Sequence, residues 1–245
     1  MGVLANFVVN VLPYITLLVF VVGVVYRVAV WWSRPSPAPI PVFPGQRSVG
    51  SAVARVLADV LLFRSLFRFG GNRILWLGSW LFHISFGLIL LRHLRYFLGA
   101  ERVPGWVNAL QGIGVAAAVV ISIPLLYLLL RRIVHADIKW ISTPADYFVL
   151  LLILSVVLSG LYAKFFAKPF VVDVKYVIRS LMAFQPVDLS KVYLSTSFLV
   201  HFFLVQVLLM YIPFSKVMHF GGVFFSPTRT HYFGGEAHTK SSEEV

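Results

Sequence analysis

Histidine is the residue type through which this chain can do chemistry. There are seven, and no cysteine. The missing thiols exclude disulfides, Cys-ligated zinc, covalently attached c-type haem and an iron–sulfur cluster held by this chain alone. Four of the seven fall into two pairs within or beside strongly apolar stretches: His83 with His93, ten residues apart, and His201 with His219, eighteen apart. An imidazole in such surroundings can ligate a metal, hold a haem iron or relay a proton. One alone reads as readily as a hydrogen-bonded packing residue. Four on two segments do not. His135, His231 and His238 lie in polar stretches and read as solvated.

The elements that carry these side chains follow from composition. Of 245 residues, 59% are hydrophobic and 12% charged, with a mean hydropathy of +0.87, whereas an average globular protein is about 25% charged. So few polar groups cannot cover a soluble surface, and the expectation is an all-α integral membrane protein, multi-pass in the cell membrane. A helix crosses the bilayer core with about 20 apolar residues, and five segments qualify, at about 8–31, 74–91, 109–130, 147–163 and 192–212. No internal period relates them, so they form a bundle and not a repeat array. The first lacks a basic leader and is too long for a signal peptide. Residues 1–220 thus form one five-helix membrane domain, and 221–245 a polar C-terminal tail.

The chain carries 21 Lys and Arg against 9 Asp and Glu, a net +12. With the N-terminus outside, 13 of those cations fall on the cytoplasmic side (before 74, at 131–139 and after 212) and 8 outside (at 92–102 and 164–191). The positive-inside rule then favours N-out, C-in. Two connections are long. Residues 33–48 hold five prolines, a polyproline-like strap, and apolar residues from Val53 to Phe67 interleave with Arg55, Asp59, Arg64 and Arg68 as an amphipathic helix at the inner interface. Lys164 to Ser190 reads as an external loop with a short helix.

Topology pairs the histidines. The second and fifth spans run antiparallel, which puts His83 and His219 at the inner level and His93 and His201 at the outer one. His83 and His93 are about 15 Å apart along a helix, and His201 and His219 about 27 Å if the fifth span is helical throughout. Eighteen residues is also five turns of an α-helix, which would set His201 and His219 on one face. Two bis-histidine sites with no carboxylates nearby suit two b-type haems. Zinc would require three or four ligands at one centre, and a proton relay would require acids within the spans, where Asp146 stands alone. A six-coordinate haem has no open position and carries electrons. Phe82, Phe86, Phe198, Phe202 and Phe203 would line its faces or simply pack.

These residues resemble a known family. Leu12-Pro13-Tyr14-Ile15, the His83/His93 spacing, Thr143-Pro144-Ala145-Asp146, the His201/His219 spacing and Pro213-Phe214-Ser215-Lys216-Val217-Met218-His219 are together similar to the membrane cytochrome b (gamma) subunit of respiratory nitrate reductase. The resemblance implies two haem b groups, His93 and His201 on the outer iron and His83 and His219 on the inner. It implies quinol oxidation near the outer haem, and delivery of electrons to an iron–sulfur subunit that serves a molybdenum-containing catalytic subunit. Asp59-Val60-Leu61-Leu62-Phe63-Arg64-Ser65-Leu66-Phe67 and Arg73-Ile74-Leu75-Trp76 are more similar to the cytochrome subunits of heterodisulfide reductases and of sulfite-reduction-associated complexes, which makes such a complex the alternative. Arg92, Arg95 and Arg102 then become candidates for haem propionates or the quinol headgroup, or snorkelling anchors; Lys191 and Gln206 are weaker candidates. The opposing functional class is a transporter with a histidine-lined path, against which stand the scarcity of acids in the spans and the absence of inverted repeats. A haem-free anchor would leave the histidine spacing unexplained. Nucleic acid is not an expected partner, since no soluble basic domain exists to hold it.

Overall fold

The computed structural model describes residues 2–34, 48–69, 72–98, 103–222 and 225, all helix, turn or coil with no strand among them. Ten helices follow one another: α1 (Val3–Ser33), α2 (Val49–Leu62), α3 (Arg64–Phe69), α4 (Arg73–Phe97), α5 (Gly105–Val134), α6 (Ala136–Ile141), α7 (Pro144–Ala167), α8 (Val171–Met182), α9 (Thr196–Phe214) and α10 (His219–Gly222). Five of them, α1, α4, α5, α7 and α9, are long and apolar enough to cross a membrane. Leu18, Val22, Ile123 and Leu158 stand exposed along them, as lipid-facing side chains would.

Local chemistry fixes where these helices start. At α7, Pro144 occupies the first turn, where its missing N–H costs nothing. The Asp146 carboxylate there accepts from the Thr143 amide at 2.9 Å and the Thr143 hydroxyl at 3.0 Å. Ser195 opens α9 by accepting the Phe198 amide at 3.3 Å, and Asn72 opens α4 by accepting the Leu75 amide at 2.9 Å. In α1 the turn Phe7–Val11 is widened to a π-helix just before Pro13. The proline ring would otherwise meet the carbonyl four residues back, and the wider turn absorbs it without ending the span.

The described residues divide into two compact units. One takes the chain up to Val21 and from Leu77 to Ser215; the other takes Val22 to Trp76 and the described residues from Lys216 on. In the first, Val9, Val174, Val177, Val187, Leu194 and Phe198 join α1, α8 and the start of α9, while Ile121, Leu125, Leu152, Ile153, Leu154 and Leu208 join α5, α7 and α9. In the second, the Trp76 indole N–H donates to the Leu62 carbonyl at 2.9 Å, and Phe67 meets Trp76 edge-on at 5.0 Å. Gly221 lies against Trp31, where a Cβ would come within 3.2 Å of the indole.

The five expected spans are present, with shifted ends. The first, third and fourth begin three to five residues earlier than their apolar cores and the second one residue earlier, and the ladder continues through flanking residues. The fifth starts later than expected, at Thr196, because the Tyr193 amide donates to Asp173 of α8 at 3.1 Å and Ser195 is already the cap. It also ends earlier than His219. After Tyr211 the chain passes through 3₁₀ turns at Ile212–Phe214 and Lys216–Met218, separated by a bend at Ser215, before the short helix α10 begins. Pro213, which has no amide hydrogen, sits at that transition. The expected shared face of His201 and His219 rested on an unbroken helix and is corrected here. The amphipathic stretch is two helices, because Phe63 adopts a left-handed conformation (φ 49°) between them. The short helix of the 164–190 connection is α8. The proline strap and most of the tail lie outside the described residues.

Candidate functional site: a pair of facing imidazoles

All four singled-out histidines hold Nδ1 in a hydrogen bond. His83 reaches the Ser79 carbonyl at 2.7 Å, His93 the Ile89 carbonyl at 2.7 Å and His219 the Lys216 carbonyl at 3.1 Å. A carbonyl oxygen only accepts, so in each pair Nδ1 carries the hydrogen. The lone pair is thereby assigned to Nε2, the tautomer that a metal-ligating histidine needs. His201 differs: its Nδ1 lies 3.0 Å from the Ser159 hydroxyl on α7. That hydroxyl also lies 2.9 Å from the Val156 carbonyl, which only accepts; with the hydroxyl hydrogen directed there, the serine oxygen accepts from the ring and His201 takes the same tautomer.

His93 and His201 face each other within the first unit. Their ring centroids are 6.5 Å apart and their planes differ by 26°. A first-row metal sits about 2.0–2.1 Å from an imidazole nitrogen, so two imidazoles that share one ion have ring centres no more than about 6–7 Å apart. The observed separation fits such a pair. Tyr96 lies 5.8 Å from the His93 ring, and Phe198 and Phe202 stack at 5.6 Å beside His201 on α9. Among the described residues no three His, Asp or Glu side chains come together as a metal site. The donor set seen here is one imidazole pair, which suits a haem iron.

α4, which bears both His83 and His93, is the span least covered by protein, with 6% of its apolar window buried against 22–28% in the other four. Next to His83, the Phe82 and Phe86 rings stack at 5.9 Å and Phe82 meets the imidazole edge-on at 5.0 Å. His83 belongs to the first unit and His219 to the second.

The cationic candidates separate by what they touch. Arg92 points to α5, with Nη1 3.4 Å from the Val107 carbonyl and Nη2 3.3 Å from Gln111 Oε1, and its stem lies where a Cβ on Gly114 would come within 3.1 Å. It is a tie between helices. Arg95 lies over the Tyr96 ring at 5.6 Å, and its Nε is buried with no hydrogen-bond partner among the described residues. Arg102 lies outside the described residues. Lys191 is exposed and pairs with Asp188 at 3.2 Å. Gln206 is 2% exposed; its amide donates to the Val8 carbonyl at 3.2 Å and to Phe202 at 3.3 Å, leaving Oε1 buried with no partner among the described residues. His135 is exposed, and His231 and His238 lie outside the described residues.

Ser159 and Gly160 were not singled out from sequence. A Cβ on Gly160 would lie 3.0 Å from His201 Cε1 and 3.4 Å from Nδ1, so the imidazole packs where only glycine leaves room. The only sequence signal was a Ser-Gly step within an apolar run.

Residues 66–234 match the family described as nitrate reductase gamma subunit. The chain is also similar to the Hdr-like menaquinol oxidoreductase cytochrome b-like subunit of Archaeoglobus fulgidus, 35% identical over 260 residues that cover 89% of this chain and 77% of that one. The protein of the same name from Archaeoglobus profundus is 36% identical over 259 residues, covering 89% and 76%. With its five candidate spans, the chain belongs to the nitrate reductase gamma subunit family, as a cytochrome b-type membrane subunit related to those of Hdr-like complexes.

Proposed function

We propose that this chain is the quinol-oxidising electron-transfer subunit of a membrane oxidoreductase complex, holding two b haems. His93 and His201 would ligate the one at the outer level, and His83 and His219 the one at the inner level. The facing His93 and His201 rings, 6.5 Å apart, are the observation that carries this assignment. Two such haems, when bound, would supply one-electron carriers spaced across the bilayer between quinol and an iron–sulfur partner.

The chain's own residues contribute orientation. Each Nδ1–H is committed to an acceptor, so no imidazole must reorganise to present Nε2. Of the three arginine candidates, Arg95 is the best suited to an anion such as a propionate, since its Nε is buried without a partner two residues from His93. Arg92 is engaged with α5. Gln206 Oε1 could accept a hydrogen bond from a quinol hydroxyl at a site five residues from His201. The two relatives favour menaquinol as donor and an Hdr-like complex as the assembly. The nitrate reductase reading, which the family match supports, would add a molybdenum-containing catalytic subunit. Either way the iron–sulfur cluster belongs to a partner, because this chain has no cysteine with which to hold one.

Single substitutions H83A, H93A, H201A and H219A, scored by pyridine haemochrome and by redox titration of the dithionite-reducible b-type absorption, test the assignment. Wild type should hold two haems. H93A and H201A should lose the same centre, and H83A and H219A the other. Loss of one shared centre from H83A and H93A would overturn the pairing, and a purified protein without b-type absorption would overturn the function.

A further inference from the structure

The geometry points to Ser159 and Gly160 of α7 as the positioning residues that orient the His201 imidazole and tune the electron affinity of the iron it ligates. The inference rests on the haem assignment above. Three of the four histidines satisfy Nδ1 with a carbonyl three or four residues back in their own chain segment. His201 does not use α9 in this way. Its ring bonds across to a side chain 42 residues distant, on a neighbouring span. Two features of α7 permit that. Gly160 has no Cβ, and one built there would come within 3.0 Å of Cε1, 3.4 Å of Nδ1 and 3.8 Å of Nε2 of the same ring. Ser159 then presents a lone pair, its hydrogen being spent on the Val156 carbonyl at 2.9 Å.

The result is a short relay, from imidazole N–H to serine oxygen and from serine O–H to carbonyl. Hydrogen bonds arranged head to tail polarise one another. A ring that donates through Nδ1 gains basicity at Nε2, and a more basic ligand stabilises the oxidised iron over the reduced. Ser159 therefore holds down the midpoint potential of the His93/His201 centre, and it does so through a replaceable side chain. The corresponding acceptors at His83, His93 and His219 are main-chain atoms that substitution cannot remove. This places one tunable side-chain contact on the centre proposed to take electrons from quinol.

Redox titration of the purified full-length protein, resolving its two b-type centres, tests this. Ser159→Ala should keep two haems, raise the midpoint potential of one centre and leave the other unchanged. Ser159→Thr, which retains the hydroxyl, should restore the wild-type value. Gly160→Ala should lower the stoichiometry from two haems to one, with the lost centre being the one that H201A loses. Unchanged potentials in a dihaem S159A protein, or equal shifts at both centres, would overturn the inference while leaving the haem assignment standing. A wild type without b-type haem would overturn the assignment, and the inference with it.

Discussion

Polar side chains are few in this chain, and some of the buried ones have an identifiable structural task. Asp146 shows this outside the four histidines. It is 4% exposed, and its carboxylate accepts both the amide and the hydroxyl of Thr143 and lies 3.9 Å from Arg132. That is a helix-capping role and not a proton-relay one. Asp146→Ala should lower stability by about 1–2 kcal/mol, the usual cost of a lost cap, seen as a lower thermal midpoint in detergent with unchanged haem content per folded protein. Asp146→Asn, which keeps a carbonyl oxygen for Thr143, should lose less. A loss of quinol oxidation without a loss of stability would instead give Asp146 a part in the chemistry. The approach of His93 and His201 was legible because no thiols and almost no acids compete with the histidines along the apolar segments. Ser159 and Gly160 were not, because their partner is 42 residues away and a Ser-Gly step in an apolar span looks like ordinary packing. The role of Arg92 was hidden for the same reason: its tie to Val107 and Gln111 exists only once α4 and α5 are side by side.

At the level of elements, the connection between α8 and α9 is held from both sides. Asn10 of α1 accepts the Val187 amide at 2.7 Å and donates to the Val187 carbonyl at 3.1 Å, pairing both polar groups of a residue that is 4% exposed. Asn10→Ala leaves those groups unsatisfied and should cost about 1–3 kcal/mol, with faster hydrogen exchange at the Val187 amide as the local signature. Just beyond it, Asp188 accepts the Ser190 hydroxyl at 2.6 Å and amide at 3.0 Å and pairs with Lys191. Those bonds, the Ser190 hydroxyl foremost, hold its carboxyl below the usual carboxylate range. A carboxyl lowered by folding favours the folded turn at every pH above its unfolded value and loses that contribution only as pH falls through the lower folded one. Protection of the Ser190 amide should therefore persist at neutral pH, fade only below the ordinary carboxylate range and become pH-independent in D188N. The five spans were legible from apolar length alone. Their ends were not, since the start of α9 depends on Asp173 taking the Tyr193 amide and its end on Pro213, where the chain changes to 3₁₀ turns and bends.

For the molecule as a whole, orientation is the property that decides how electron transfer would be coupled to the membrane. The cation count favours N-out, with 13 positive side chains on the cytoplasmic side and 8 outside. The absence of cysteine makes this directly measurable, because any thiol introduced is the only one present. Lys139 lies between the third and fourth spans and Lys191 between the fourth and fifth, so the two face opposite sides whatever the orientation. Both are exposed. N-out predicts that K191C reacts with a membrane-impermeant maleimide in intact cells, and that K139C reacts only after permeabilisation. The reverse pattern would invert the topology, and labelling of both from one side would refute five spans. Lys191 precedes α9 by a few residues, on the side of the His201 end, and His93 lies at the matching end of α4. An exposed K191C would therefore put the His93/His201 pair near the outer face. Quinol oxidised there would release its protons outside while its electrons moved inward, and the charge separation would be stored as membrane potential.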